Sequence, residues 1–247
     1  MRRLIAANWK MNKTVKETEE YIKKFLNFVE HPESREILIC PPFTSLYVAS
    51  QLLQGTGVKL GAQNCYYEKK GAYTGEISIP LLQELSCEYV IVGHSERRHI
   101  FGETDELIHR KIVACLEMGI RPILCVGEKK EEREAGMTFK VIETQIKLAL
   151  AGVEEHIDKI DIAYEPVWAI GTGIPATPED AVEVHTFIRN LLNELNPKNE
   201  GKTRILYGGS VKPDNAKEFM KHDEIDGLLV GTASLDPESF AKIVYSF

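Results

Sequence analysis

Short apolar runs recur along the chain, and most of them lack the polar alternation of a half-solvated strand. Continuous apolar runs of strand length are typical of parallel strands that are buried on both faces. The runs are Leu4–Ala7, Ile37–Cys40, Val58–Ala62, Tyr89–Val92, Ile123–Val126, Ile160–Tyr164, Arg204–Tyr207 and Leu228–Val230. The pattern therefore predicts eight parallel strands that contact apolar side chains on both sides.

Helical patterns separate these runs, and three of them have a recognisable start or end. Thr14 and Glu17 have the spacing of a capping box, in which two side chains satisfy the first free N–H groups of a helix. The stretch from Thr104 to Met118 repeats apolar residues at helical spacing, and Gly119 follows as a stop. A second capping box, with proline at the first helical position, is formed by Thr177, Pro178 and Asp180.

Strand and helix patterns alternate about eight times, at roughly thirty residues per repeat, which is the size of one βα unit. An open, doubly wound sheet would also produce alternation. Eight units without a long Ser/Gly/Pro linker favour the closed form. We therefore expect an α/β fold with a single domain over residues 1–247, namely a (β/α)8 barrel in which helices surround a closed, parallel, eight-stranded sheet.

The charge of the chain limits its partners. The 247 residues carry a formal net charge of −7. No basic run could neutralise a row of phosphates, so we expect no nucleic-acid binding. An anionic small molecule would need a local cation to bind against the overall negative charge.

Cysteine usage indicates a reducing compartment. The chain has five cysteines without a CxxC pair, and several lie inside apolar runs. Buried, reduced thiols are the expected outcome, together with a cytoplasmic location. We expect no membrane association, because no signal-peptide pattern is visible and the apolar runs are far shorter than a bilayer span.

In a (β/α)8 barrel the chemistry lies where the strands end, at the carboxyl face. The first strand ends in Asn8, Trp9 and Lys10. Side chains two apart in extended chain point the same way, so Asn8 and Lys10 are predicted to face one pocket. Lys10 is the candidate cation for an anionic substrate, and a solvated surface lysine is the alternative.

The fourth strand is followed by Gly93, His94 and Ser95, and Ser95 could cap the next helix. The positive end of a helix dipole disfavours a protonated histidine. A neutral imidazole could donate a hydrogen bond to a carbonyl oxygen on which negative charge builds up. A structural histidine with satisfied hydrogen bonds is the alternative.

The sixth strand ends at Glu165, and Pro166 favours an extended backbone there. Partial desolvation at the mouth of an apolar barrel should raise the pKa of Glu165 toward that of a useful general base. Cys125, inside the fifth strand, is a conceivable nucleophile, but without a neighbouring histidine in the sequence we favour core packing.

Glycine-rich turns follow the seventh and eighth strands. Gly208 and Gly209 precede Ser210, and Gly231 precedes Thr232. Such turns expose backbone N–H groups, and a phosphate site after strands seven and eight recurs in these barrels. The two turns predict a phosphate site.

A dinucleotide motif is imitated by Gly171, Gly173 and Ala176. That motif requires a glycine directly after the strand, whereas here Pro166 to Ile170 intervene. We also find no HExxH motif, no Walker A motif and no metal-spaced His/Cys cluster. No metal or organic cofactor is expected.

With these residues assembled, the chain closely resembles the triosephosphate isomerase family over essentially its full length. The matching motifs are NWK at Asn8–Lys10, GAYTGEIS at Gly71–Ser78, VIVGHSERR at Val90–Arg98, AYEPVWAIGTG at Ala163–Gly173, LYGGSVKPDN at Leu206–Asn215 and LVGTASL at Leu229–Leu235. The resemblance implies a TIM barrel that interconverts dihydroxyacetone phosphate and glyceraldehyde 3-phosphate through an enediol(ate). This family is itself the standard example of a glutamate base beside a neutral histidine.

The resemblance also implies roles for single residues. Glu165 would be the base and His94 the electrophile. Lys10, with Asn8 beside it, would attract the substrate dianion. Ser95 and Glu96 would support the catalytic residues without taking part in the chemistry. The implied phosphate contacts are Gly171, Ser210, Gly231 and Thr232. The implied lid is Pro166, Val167, Trp168, Ala169, Ile170, Gly171, Thr172, Gly173, Ile174, Pro175 and Ala176. The family is typically a cytoplasmic homodimer in which the loop matching Gly71–Glu76 inserts into the partner with Thr74 near the neighbouring site, and some thermophilic members are tetramers.

Two positions depart from the family pattern. A glycine is common where this chain has Thr232, and threonine would be strained there if the position required a positive φ. Pro175 lies in the second hinge of the implied lid, where it could slow or bias opening. Another phosphate-binding barrel, such as a different sugar-phosphate isomerase or a Schiff-base aldolase that uses Lys10, is the alternative enzyme, and a non-enzymatic scaffold is a third possibility.

Overall fold

The computed structural model describes residues 2–29, 35–169, 176–199 and 201–247. Its strands are β1 (Leu4–Asn8), β2 (Glu36–Cys40), β3 (Lys59–Ala62), β4 (Tyr89–Val92), β5 (Arg121–Val126), β6 (Asp161–Tyr164), β7 (Ile205–Tyr207) and β8 (Gly227–Val230). Each strand pairs in parallel with the next, and β8 pairs with β1, so the sheet closes in chain order. The predicted (β/α)8 barrel is confirmed, and the open sheet is wrong.

Helices surround this barrel. Within the described residues they are α1 (Val15–Leu26), α2 (Leu46–Leu53), α3 (Ile79–Glu84), α4 (Ser95–His99), α5 (Asp105–Met118), α6 (Lys130–Glu134), α7 (Thr138–Leu150), α8 (Pro178–Leu195), α9 (Pro213–Met220) and α10 (Pro237–Val244). Of these, none combines the length and the apolar composition that a bilayer span requires.

The helix boundaries that the sequence predicts are present. Thr14 is the N-cap of α1 and forms the capping box with Glu17. Thr177 forms the second box ahead of α8, with proline at the first helical position. Gly119 ends α5 in the left-handed conformation, with φ of 71°. Local hydrogen bonding therefore sets these boundaries, as expected from propensity alone.

The strands divide their side chains between two apolar layers. In β1, Leu4 and Ala6 belong to a cluster of strand residues, whereas Ile5 and Ala7 belong to a larger cluster that includes the helices. This alternation is what a closed sheet imposes, since successive side chains point into the barrel and then out toward the helices. Cys125 lies in the inner cluster.

A buried charged network closes the amino-terminal end of the barrel. The Arg204 guanidinium lies 2.8 Å from an oxygen of Asp161 and 2.8 Å from one of Glu36, and it donates to the Tyr89 hydroxyl. Glu36, Tyr89 and Asp161 are the first residues of β2, β4 and β6. The paired charges occupy this end, and the open cavity lies at the other.

Candidate active site

The carboxyl ends of the strands surround a cavity of about 690 Å³. Residues at or just after the ends of five different strands line it, namely Asn8, Lys10, His94, Glu165, Ser210, Gly231 and Thr232. The sequence predicts each of these from its place after a strand. The barrel brings residues from near the two ends of the chain to one mouth, because all parallel strands end at the same edge.

Lys10 reaches the cavity by a turn rather than by extended chain. β1 ends at Asn8, and Lys10 has a φ of 53°, in the left-handed region. Its backbone N–H donates to the Asn8 side-chain oxygen at 3.1 Å, and the Gln63 side chain donates to its carbonyl at 2.8 Å. The prediction that Asn8 and Lys10 line one pocket is confirmed, but the extended geometry behind it is wrong. The Asn8 side chain holds the turn that presents Lys10.

The Lys10 ammonium is paired within the site. Its Nζ lies 2.7 Å from an oxygen of Glu96, and both side chains are partly exposed. Glu96 therefore touches the candidate cation directly. An anionic group that enters the cavity meets an ammonium whose position is already set by a carboxylate.

His94 is the N-cap of α4, which begins at Ser95. The cap predicted at Ser95 is therefore wrong by one residue. The Nδ1 atom of His94 accepts a hydrogen bond from the Glu96 backbone N–H at 3.2 Å, while Nε2 lies 2.8 Å from an oxygen of Glu165. A nitrogen that accepts an N–H bond carries no proton, so this network assigns the proton of the neutral ring to Nε2.

Glu165 is almost wholly buried and is held from two sides. One oxygen accepts from the Ser95 backbone N–H at 2.9 Å, and the other lies 3.4 Å from the Ser95 hydroxyl and 2.8 Å from His94 Nε2. Ser95 thus contacts the candidate base itself. Three donors converge on a carboxylate that bulk water does not reach.

This pairing reverses the expected pKa directions of both residues. Burial raises the pKa of Glu165, but the charge and hydrogen bond of His94 and the Ser95 N–H outweigh it, so the pKa lies below its ordinary value. Burial likewise lowers the pKa of His94, and the Glu165 carboxylate outweighs it and raises the pKa. The expectations of a raised Glu165 pKa and a disfavoured His94 imidazolium each considered one side chain alone. Both are wrong for the pair in contact.

Two glycines make room for Glu165, and they directly follow β5 and β7, the two strands that pair with β6. A Cβ on Gly127, after β5, would lie 1.8 Å from the Glu165 carbonyl oxygen. A Cβ on Gly208, after β7, would lie 3.0 Å from Glu165 Cγ. Glycine is required at the first position because no side chain fits against the backbone of Glu165 there.

The predicted phosphate-binding turns border the cavity. Gly231 precedes a short 3-10 helix, Thr232–Leu235, whose first residues line the cavity with Ser210. Thr232 is not among the described residues with positive φ. The strain that threonine would suffer at a positive φ therefore does not arise.

The start of the implied lid is ordered against the barrel. Val167–Ala169 form a 3-10 helix after Pro166. The Trp168 indole N–H donates to Glu128 at 2.9 Å, and the Arg133 guanidinium lies 4.2 Å from the centre of a Trp168 ring. Ala176 is buried. The remaining lid residues lie outside the described residues, namely Ile170, Gly171, Thr172, Gly173, Ile174 and Pro175. The phosphate contact predicted at Gly171 therefore lies outside them as well.

Glu128 is a residue whose role the sequence does not reveal. Its buried carboxylate also accepts from the Tyr164 hydroxyl at 3.2 Å and the Thr138 hydroxyl at 3.3 Å. Burial raises its pKa despite these donors. The available signal was its position, two residues after the end of β5.

The remaining predicted residues are placed as follows. Thr74 lies in an exposed loop, where Gly71 to Glu76 are all exposed. Cys125 is fully buried in the barrel interior and burial raises the pKa of its thiol, which agrees with core packing. Among the described residues, no group of three or more histidine, cysteine, aspartate and glutamate side chains is arranged to hold a metal ion.

Comparison with known proteins gives the family. The family model described as triosephosphate isomerase matches residues 3–247. The chain is 91% identical over 247 residues to the triosephosphate isomerase of Aquifex aeolicus, with 100% of each chain covered. It is 57% identical to that of Dictyoglomus thermophilum, with 99% of each covered, and 51% identical to that of Endomicrobium trichonymphae, with 98% and 97% covered. The chain therefore belongs to the triosephosphate isomerase family.

Proposed function

We propose that the chain interconverts dihydroxyacetone phosphate and D-glyceraldehyde 3-phosphate, as an aldose–ketose isomerase of glycolysis and gluconeogenesis. The observation that carries the proposal is the contact between His94 and Glu165, 2.8 Å apart at the base of a cavity that Lys10 also lines. Such a site holds a carboxylate, a hydrogen-bond donor and a cation within reach of one small anion.

In this proposal Glu165 moves one proton between adjacent carbons of the substrate. It removes the proton from one carbon to give an enediol(ate) and returns it to the neighbouring carbon, while the hydroxyl proton passes between the two substrate oxygens through His94. The overall reaction is therefore balanced without an external oxidant or reductant. His94 Nε2–H donates to the substrate oxygens as negative charge builds up on them. Substrate oxygens replace Glu165 as the partner of His94, which removes the carboxylate that raises the His94 pKa.

The same change activates the base. A carboxylate that leaves His94 and the Ser95 N–H loses the contacts that hold its pKa down, and burial then dominates. Its proton affinity therefore rises when the substrate is present. The paired arrangement stabilises the empty site, and the substrate converts Glu165 into the stronger base.

Binding of the phosphate is assigned to the turns after β7 and β8. Ser210, Gly231 and Thr232 line the cavity there, and we assign Gly171 to the same group from the family resemblance. Lys10 supplies the positive charge, with Asn8 fixing its turn. Closure of the lid that starts at Pro166 would exclude water from the enediolate and prevent loss of phosphate.

We propose a cytoplasmic homodimer as the working form. The exposed loop at Gly71–Glu76 and exposed apolar side chains elsewhere support it, since side chains such as Ile100 (73% exposed) and Phe101 (68%) are costly in water. Five free, buried thiols agree with a reducing compartment. Sedimentation equilibrium would distinguish a monomer, which contradicts this proposal, from a dimer, and would detect a tetramer.

A coupled assay of glyceraldehyde 3-phosphate isomerisation with the purified chain tests the proposed reaction. We expect turnover without added metal or organic cofactor. Borohydride trapping with substrate addresses the aldolase alternative, because a Schiff base at Lys10 would leave a covalent adduct. An adduct at Lys10 without isomerase turnover would overturn the proposal, and the absence of both activities would favour a scaffold.

A further inference from the structure

We propose that Gln145 is a positioning residue for the isomerisation. It holds the turn at the end of β5, residues 126–128, which contacts both Glu165 and the start of the lid. The inference depends on the proposed function and extends it to a side chain that is outside the cavity. Four contacts carry the argument, and each involves at least one buried group.

The first two contacts join Gln145 to Gly127. The Gln145 side-chain oxygen accepts from the Gly127 backbone N–H at 2.8 Å, and the Gln145 amide nitrogen donates to the Gly127 carbonyl at 3.2 Å. Gln145 belongs to α7 and is 8% exposed. One primary amide thus satisfies both polar groups of one buried residue, as a neighbouring strand would, and an apolar side chain would satisfy neither.

The third contact joins this turn to the base. The Glu165 backbone N–H donates to the Val126 carbonyl at 2.8 Å. Gly127 then lies so close to the Glu165 carbonyl that a Cβ would come within 1.8 Å of the oxygen. A shift of Gly127 therefore moves the backbone of Glu165, since the two are in van der Waals contact without intervening side chains.

The fourth contact joins the same turn to the lid. Glu128 follows Gly127 directly, and its carboxylate accepts from the Trp168 indole at 2.9 Å. Trp168 lies in the first residues of the lid. The Gln145 amide therefore fixes the turn that contacts Glu165 and that carries Glu128, the hydrogen-bond partner of Trp168.

Loss of the amide should affect chemistry more than binding. Gln145 is not among the described residues that line the cavity, so its removal leaves the proposed phosphate contacts in place. A displacement of the carboxylate by about 1 Å can cost roughly 100-fold in rate. We expect Gln145→Leu to lower kcat by roughly 10- to 100-fold, with KM changed by less than about threefold.

The test compares Gln145→Leu with the exposed control Thr144→Leu on the same helix. Rates are measured with substrate that carries deuterium at the carbon from which Glu165 takes the proton. A displaced base slows proton transfer, so the isotope effect should increase in Gln145→Leu and stay unchanged in Thr144→Leu. A kcat loss that only matches the loss of folded protein, with an unchanged isotope effect, would overturn the proposal.

A second variant keeps the proposal testable if leucine prevents folding. In Gln145→Glu a protonated carboxyl can still accept from the Gly127 N–H and donate to its carbonyl, whereas the ionised form loses the donor and repels the carbonyl. Relative to the unsubstituted chain, its kcat should therefore fall as pH rises. A ratio of the two kcat values that does not change with pH would overturn the proposal. An inactive unsubstituted chain would overturn the proposed function instead.

Discussion

His94 Nε2 lies 2.8 Å from Glu165, while the other ring nitrogen accepts the backbone N–H of Glu96. The start of α4 therefore selects the tautomer of His94, and that tautomer directs its single N–H at the candidate base. The same N–H would meet a substrate oxygen once Glu165 turns to the substrate carbon. The two side chains are one coupled unit, and their titrations should be read together.

Replacement of His94 by glutamine should move the pH profile of the base. The interactions with His94 that lower the pKa of Glu165 would be lost, and burial would then raise that pKa. The acid limb of kcat/KM should shift to higher pH, and kcat should fall by roughly 100-fold because the donor to the substrate oxygens is misplaced. Steady-state rates from about pH 4 to 9 measure both. An acid limb at the original pH would show that His94 does not hold the Glu165 pKa down.

Gly127→Ala should disrupt the site much more than the same change at an open turn. The new methyl group would overlap the Glu165 carbonyl oxygen, since its Cβ would lie 1.8 Å away. We expect kcat to fall by at least about 100-fold, and overpacking to cost about 1–3 kcal/mol of stability. Activity and urea unfolding measure the two effects.

Gly152→Ala is the matched control. Gly152 has a φ of 76°, and a Cβ added there would meet nothing within 4 Å. Alanine at this position should cost about 1–2 kcal/mol through backbone strain alone, with kcat preserved. Equal activity losses at Gly127 and Gly152 would mean that contact with Glu165 is irrelevant.

His185 should make the stability of the chain depend on pH. Its ring is fully buried in α8, and burial lowers its pKa to about 4. The unfolded chain binds a proton near pH 6.5 and the folded chain near pH 4, so stability is lost as pH falls through this window. The shift corresponds to about 3 kcal/mol.

His185→Asn removes the titrating ring. The unfolding free energy of the variant should depend less steeply on pH between 6.5 and 4 than that of the unsubstituted chain. Urea unfolding at fixed protein concentration measures this difference. If the unfolding free energies of the two chains depended on pH in the same way, His185 would not be the source of the pH dependence.

The sequence predicts the barrel and the members of the site for a local reason. Continuous apolar runs mark strands buried on both faces, and residues such as His94 and Glu165 lie within two positions of their ends. Closure of the sheet in chain order then brings every strand end to one mouth. These predictions require only periodicity and the position after a strand.

What the sequence does not predict depends on contacts between distant residues. The hydrogen bonds of Gln145 to Gly127 cross 18 positions, and the one from Trp168 to Glu128 crosses 40. The expected pKa directions of His94 and Glu165 are wrong because the contact between them is a property of the fold. The φ of Lys10 escapes prediction because a non-glycine residue in the left-handed region has no sequence signal.

Glu165→Asp tests whether Glu165 is the base of the reaction. Aspartate keeps the carboxylate and shortens the side chain by one methylene, which withdraws it by about 1 Å from the substrate carbon. In the coupled assay of glyceraldehyde 3-phosphate isomerisation, we expect rapid turnover by the unsubstituted chain and a kcat roughly 100-fold lower for the variant, with KM little changed. Equal kcat values for the two chains would show that Glu165 is not the base.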